Sequence, residues 1–261
     1  MFESSLLAQL HAQFPAHQFS PEGLSVVHTG RFANAIVYRY KDAKFDLIIK
    51  DFQHSPWWMR KTIAPLFINQ EYKGLARLQD VDGVVDNFCR LSSIAIAYDF
   101  IEGTPLRQLA LQQQHLPSEF FKEFERLVAK MHRRGVVHLD LRNLGNVICS
   151  TDGKPYIIDF QSAIRFARFP RWLQRFMRGA DMSGVYKAWH KLAKDSLPQA
   201  KADYLHDFNH VRKRWIFKGY PIQRAYLWCS GAVTQILNSD FIRSILDRLY
   251  KARLHALSGE N

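Results

Sequence analysis

The residues best placed for chemistry lie in one stretch. His138-Leu139-Asp140-Leu141-Arg142-Asn143-Leu144-Gly145-Asn146 leads into Val147-Ile148-Cys149-Ser150, then Thr151-Asp152-Gly153-Lys154, then Tyr156-Ile157-Ile158-Asp159-Phe160. An Asp-Gly pair between two apolar runs predicts a β-hairpin. That hairpin would hold Asp140 and Asp159 near one another at its open end, with Asn146 beside them. Two carboxylates and a carboxamide supply hard oxygen ligands of the kind that suit Mg²⁺ carrying phosphates. One carboxylate is then left to orient a nucleophilic hydroxyl. His138 is read as a structural side chain satisfied by backbone, with no part in proton transfer.

These groups need a scaffold, and the pattern of the chain predicts one. A helix is expected over residues 4–14, followed by strands over 26–30, 35–40 and 45–52. Ile68, Tyr72, Leu75 and Leu78 recur at helical spacing and carry Glu71 with them. Two more strands are expected over 84–91 and 95–101, and beyond Pro117 the pattern turns helical, with Phe120, Phe124, Leu127, Val128 and Met131 on one face. The β-rich segment 136–160 interrupts the helices. Strands first, helices later and one β insert predict a two-lobed α+β arrangement.

Composition narrows the class. The 261 residues are 47 % hydrophobic and 13 % aromatic, too apolar for a disordered chain and enough for a sizeable core. Cys89, Cys149 and Cys229 are far apart and lack metal-ligand spacing, so they are read as reduced and structural. The opening residues do not resemble a secretory signal, and no run is long enough to span a bilayer. The expectation is a cytoplasmic protein that still has the means to sit peripherally on the inner membrane.

The positive charge is concentrated. Of the net +12, +10 falls between Arg165 and Arg224, where fourteen Lys and Arg face four Asp. Such a segment favours a polyanionic partner. After Pro170, Arg171, Arg175 and Arg178 recur at helical spacing beside Trp172, Leu173, Phe176 and Met177. Such a helix either lies on an anionic interface or packs its apolar face into its own core. No nucleic-acid motif accompanies the charge, and none is expected as a partner.

Taken together, these motifs resemble the protein-kinase-like superfamily over most of the chain. His138-x-Asp140 is similar to the catalytic loop, and Ile158-Asp159-Phe160 to the metal-binding element that usually reads Asp-Phe-Gly. The resemblance implies a two-lobed kinase-like fold: residues 1–98 as a β-rich nucleotide-binding lobe, and residues 99–261 as a mostly helical lobe with the catalytic hairpin and the basic substrate- or membrane-facing helices. It implies ATP and Mg²⁺ as cofactors. Lys50 falls where the family's phosphate-binding lysine ends the third strand, and Glu71 where its helical glutamate partner would be. Tyr98 to Gly103, with Asp99 and Phe100, resembles the hinge that reads adenine, and Gly30 and Asn34 stand in the phosphate loop. Asp140 would be the catalytic carboxylate, Arg142 would act against the γ-phosphate, and Asn146 and Asp159 would hold the metal. Asp181 matches the buried aspartate that braces the catalytic loop.

The pattern also departs from the family. The metal-ligating Asn usually follows the catalytic Asp by five residues. Gly145 stands there, so the ligand is either Asn146, after a one-residue bulge, or Asn143. The phosphate loop keeps one glycine, and Gln161 replaces the glycine after Asp159-Phe160. Only 21 residues lie between Asp159 and Asp181. That short segment is similar to bacterial lipopolysaccharide (Kdo/heptose) kinases. The resemblance therefore implies phosphorylation of a lipopolysaccharide sugar or another anionic glycolipid, docked through Arg171, Arg175, Arg178 and Trp172. The alternatives are a serine/threonine protein kinase, a small-molecule kinase, a pseudokinase and a basic nucleic-acid-binding module.

Overall fold

The computed structural model describes residues 2–29 and 35–214. In chain order the elements are α1 (Phe2–Gln13), β1 (Leu24–His28), β2 (Ile36–Lys41), β3 (Asp46–Asp51), α2 (Trp57–Lys61), α3 (Ile63–Arg77), β4 (Phe88–Ser92) and β5 (Ala95–Asp99). After these come β6 (Gly103–Pro105), α4 (Leu106–Leu111), α5 (Ser118–Arg133), β7 (Val136–Val137), β8 (Val147–Ser150), β9 (Pro155–Ile157), β10 (Ile164–Arg165), α6 (Arg171–Leu192) and α7 (Gln199–Arg214). Contacts divide the chain into two compact units. Of the described residues, the first holds those up to Glu102 with Asp159–Gln161, and the second holds the others. Strands come first and helices later, as the α+β pattern predicts.

The first unit is an antiparallel sheet of five strands in the order β1-β2-β3-β5-β4. Successive strand side chains point to opposite faces. Leu47 and Ile49 therefore join Tyr38, Tyr40, Ala97 and the buried α1 residues Leu6, Leu7 and Leu10 in one core. Lys50, next to Ile49 on β3, turns to the other face. Helix α3 packs across β4 and β5 and buries Ala64, Ile68, Glu71 and Leu75, spaced by four, three and four residues along one stripe. An acid is thus carried on the buried face of a helix, where it requires a partner.

Two element starts differ from expectation by four residues or more. Helix α3 begins at Ile63, earlier than the apolar spacing indicates, because Pro65 falls in its first turn, where no N–H partner is lost. The strand expected from residue 84 begins at Phe88; Val84 and Val85 are buried, but in a loop that closes Val84 N onto Val81 O.

In the second unit, α5 buries Phe120, Phe121, Phe124, Leu127, Val128 and Met131, and packs against α6, which also packs against α7. The predicted hairpin is present: β8 pairs antiparallel with β9 around a turn whose Gly153 has φ 78°, a left-handed value that glycine adopts without strain. The sequence pattern did not reveal β6, which adds to the β8 edge, or β10, which pairs with β7 at the start of the expected β-rich segment. Leu173, Phe176 and Met177 of α6 are buried, so the helix packs its apolar face into its own unit. Arg171 and Arg175 are exposed, and the Arg178 guanidinium lies 4.5 Å from the Phe166 ring centroid. Cys89 and Cys149 are free thiols, and burial pushes Cys89 up to about 11; Cys229 lies outside the described residues. Among the described residues no helix is long and apolar enough to cross a membrane.

Candidate active site

Within the first unit, Lys50 reaches from β3 to Glu71 on α3. Its Nζ donates to Glu71 Oε1 and to Asp159 Oδ1, both at 2.7 Å. Lys50 and Glu71 are buried, while the Asp159 side chain is 29 % exposed. Burial opposes the charge on Lys50, but the Asp159 and Glu71 carboxylates outweigh it and hold the ammonium well above the ordinary lysine value. One cation thus meets two carboxylates, of which Asp159 is the accessible one. Asp159 has φ 66°, a left-handed backbone uncommon outside glycine.

Tyr98 belongs to the same cluster, its ring centroid 5.8 Å from Lys50 Nζ; burial raises its phenol pKa. Its type gives no hint of this role. Its register does: Tyr98 pairs with Ile48 and Ile96 with Lys50, which puts Tyr98 on the Lys50 face.

Within the second unit, Asp140 is held by Asn146, whose Nδ2 donates to Asp140 Oδ2 at 2.9 Å and to Asp140 O at 3.1 Å. Asn146 is buried and Asn143 exposed. Asn143 Oδ1 accepts from Gly145 N and caps a short 3₁₀ turn over Leu144–Asn146, which absorbs the extra residue; Asn143 Nδ2 donates to Asn146 Oδ1. Of the two asparagines, then, the structure brings Asn146 to the carboxylate. Ile158, the residue before Asp159, donates its N–H to Asn146 O at 3.0 Å.

The loop is pinned from α6. Asp181 is fully buried and accepts from His138 N at 2.9 Å and Leu139 N at 2.7 Å, with His132 Nε2 at 2.9 Å. Leu139 takes φ 66°, so the strained backbone is fixed by the carboxylate behind it. His138 Nε2 lies 3.0 Å from Ile158 O, and its Nδ1 accepts from Asp140 N, a backbone-satisfied structural ring. Gly184 permits the close approach of helix to loop: a Cβ there would lie 2.7 Å from the Leu141 carbonyl carbon.

Arg142 turns toward α6, with Nη1 donating to Ser183 Oγ at 3.0 Å, and Lys187 Nζ donates to Arg142 O at 2.8 Å. Burial lowers Arg142 to about 10, with Arg212 adding to the effect. Lys187 shows in the sequence as one of the basic residues between Arg165 and Arg224, and Ser183 only through its one-turn spacing from Lys187 on the helix that carries Asp181.

At the expected hinge, Asp99 N donates to Asn87 O and Phe100 N to Asp46 O at 2.8 Å, while the Arg39 guanidinium sits 3.6 Å over the Phe100 ring. Both amides are engaged inside the unit, so an adenine edge would meet carbonyls there, or the amides of Ile101 and Glu102. Gly30 and Asn34 lie outside the described residues.

No group of three or more His, Cys, Asp or Glu side chains is assembled for a metal among the described residues. Mg²⁺ is usually held by one or two protein oxygens plus phosphates and water. Asp159, an accessible carboxylate beside an already satisfied lysine, and Asn146 Oδ1 are donors of the right type.

A five-stranded antiparallel sheet with a buried Lys–Glu pair, followed by a helical unit with a braced His-x-Asp loop, defines a protein-kinase-like protein. The family model of the RIO domain matches residues 24–202, well over half of the chain. The chain belongs to this kinase-like phosphotransferase family. The match supports the superfamily and gives no support to lipopolysaccharide kinases as near kin. No curated protein matches the chain.

Proposed function

We propose that this protein is an ATP- and Mg²⁺-dependent kinase whose acceptor is a serine or threonine hydroxyl of a protein. The observation that carries the phosphotransfer reading is Lys50 held between Glu71 and the accessible Asp159. The acceptor reading rests on the family, since RIO kinases are protein kinases.

In this reading residues 1–98 bind nucleotide and residues 99–261 supply the catalytic loop. Phosphoryl transfer needs positioning and compensation of charge more than covalent help. Lys50, oriented by Glu71, holds the α- and β-phosphates. Asp159 and Asn146 would hold Mg²⁺, which supplies charge neutralisation on the phosphate oxygens. Asp140, fixed by the Asn146 carboxamide, accepts the hydrogen of the acceptor hydroxyl as its oxygen attacks the γ-phosphorus. Asp181 keeps the loop in its strained conformation at no cost during reaction.

A second reading keeps an anionic glycolipid as acceptor, with the protein on the cytoplasmic membrane face. It is favoured by the exposed Arg171 and Arg175 and the half-buried Trp172 at the start of α6. With Leu173, Phe176 and Met177 turned inward, such a contact would rest on charge and on Trp172.

γ-Labelled ATP and Mg²⁺ incubated with protein, lipopolysaccharide and small-alcohol fractions separates these readings. Label is expected in a protein fraction. Asp140→Asn is expected to lower transfer by roughly two to four orders of magnitude with nucleotide affinity little changed. Unaltered transfer in that variant would overturn the mechanism, and label confined to lipopolysaccharide would overturn the acceptor.

A further inference from the structure

Two residues beyond Asp140, positive charge accumulates without a matching acid among the described residues. Arg142 uses Nη1 on Ser183, and among the described residues nothing accepts from its remaining N–H groups. Lys187 spends one proton on Arg142 O, which fixes its ammonium against the same stretch of loop. Arg212, exposed on α7, lies within electrostatic reach of both. No carboxylate lies within ion-pair distance of any of the three among the described residues; the acid whose charge registers on Lys187 is Asp140 itself.

The arrangement is costly. Burial first, and then the neighbouring Arg142, Lys191 and Arg212, lower the Lys187 pKa, a sign that the cluster repels its own charge. Asp181, Ser183, Gly184 and Lys187 all lie on the part of α6 that meets the catalytic loop. The cations are therefore set by the same helix that sets Asp140. Half-buried guanidinium and ammonium donors in a fixed fork are the chemistry that recognises phosphate and carboxylate.

We infer that Arg142, Lys187 and Arg212 form an anion subsite beside Asp140, which takes a phosphate or carboxylate carried by the acceptor polypeptide close to its reacting hydroxyl. This rests on the reading that Asp140 receives the acceptor. It specifies the substrate class as a serine or threonine flanked by acidic or already phosphorylated residues. The three cations offset the repulsion between that group and Asp140, and the group in turn relieves the repulsion among the cations.

The test uses the full chain loaded with Mg²⁺ and a non-hydrolysable ATP analogue, titrated calorimetrically with inorganic phosphate. Phosphate is expected to bind the loaded protein, roughly tenfold more weakly in Lys187→Gln, the loss of one charge-assisted contact. A smaller weakening is expected in Arg212→Gln, whose exposed site spares the fold. The analogue should bind equally to all three proteins. Phosphate affinity unchanged in both variants would overturn the subsite. So would phosphate binding abolished by the analogue, since the cations would then serve the γ-phosphate. Failure of the analogue to bind any of the proteins would instead sink the kinase reading. In a positional peptide library, flanking phosphoserine or glutamate should be preferred over lysine by roughly tenfold, and the preference should collapse in Lys187→Gln. A phosphorylated sugar accepted in place of every peptide would overturn the polypeptide source.

Discussion

Two buried lysines, one in each unit, show how a functional ion pair differs from a structural one. Lys201 on α7 donates to Glu125 Oε2 at 2.8 Å; Glu125 Oε1 accepts from the Tyr186 hydroxyl at 2.6 Å, and the ammonium lies 4.5 Å from the Trp189 ring centroid. One positive and one negative charge cancel among aromatic rings, and each finds hydrogen bonds. Lys50 has the same kind of partner in Glu71 and then a second carboxylate in Asp159. That second carboxylate is partly exposed and sits on a left-handed backbone. A buried Lys–Glu pair alone says little about chemistry. An accessible second carboxylate held on strained backbone beside such a pair says much more.

The contrast can be broken by mutation. Lys201→Met strands Glu125 in the core and is expected to cost about 3–5 kcal/mol of stability, with transfer per folded molecule unchanged. Replacing both partners, Lys201→Met with Glu125→Leu, should recover most of that loss in chemical denaturation. Lys50→Met is expected to cut transfer by roughly two to three orders of magnitude, and Lys50→Met with Glu71→Leu should leave it low however stable the protein becomes. Recovery of transfer in that double variant would erase the distinction between the two pairs.

The smallest effect concerns a carboxylate served by neutral donors and a histidine. Asp42 accepts from Lys44 N and Phe45 N at 2.7 Å, from the Tyr40 hydroxyl at 2.8 Å and from His17 at 2.6 Å. Burial works against its charge, but these donors prevail and hold its pKa well below the usual carboxylate range. The folded state therefore binds this proton less readily than the unfolded chain. The stabilisation is complete above the ordinary value near ~3.9 and fades as pH falls toward the depressed one. Asp42→Asn should lower Tm by roughly 2–4 °C at neutral pH. The gap from the native protein should narrow below about pH 4. A gap that widens on acidification would show that the carboxylate is not held in this way.

What the sequence made legible follows the range of the interactions. Asp140, Asp159 and the hairpin announce themselves through local signals: a His-x-Asp run, an Asp-Gly turn and alternating apolar residues. Lys50 and Glu71 emerge from strand and helix periodicity once a family pattern aligns them. Arg142 was legible as a residue but not in its direction. Its side chain turns to Ser183, 41 positions away, because Gly184 lets α6 approach the loop. The choice between Asn143 and Asn146 depended on how one extra residue folds into a 3₁₀ turn, which spacing alone does not decide. Glu125 and Lys201, 76 positions apart, carry no local mark at all. The amphipathic segment from Arg171 was compatible with two fates, and only the packing of α6 decided where Leu173, Phe176 and Met177 go.

Calorimetric binding of ATP to the full chain, with Mg²⁺ and with the metal chelated, tests the central claim most directly when Asp159→Asn is measured alongside. The account predicts a single saturable site whose affinity rises with Mg²⁺ in the native protein and loses that metal dependence in the variant. Absence of ATP binding, or the same metal dependence in both proteins, would contradict it.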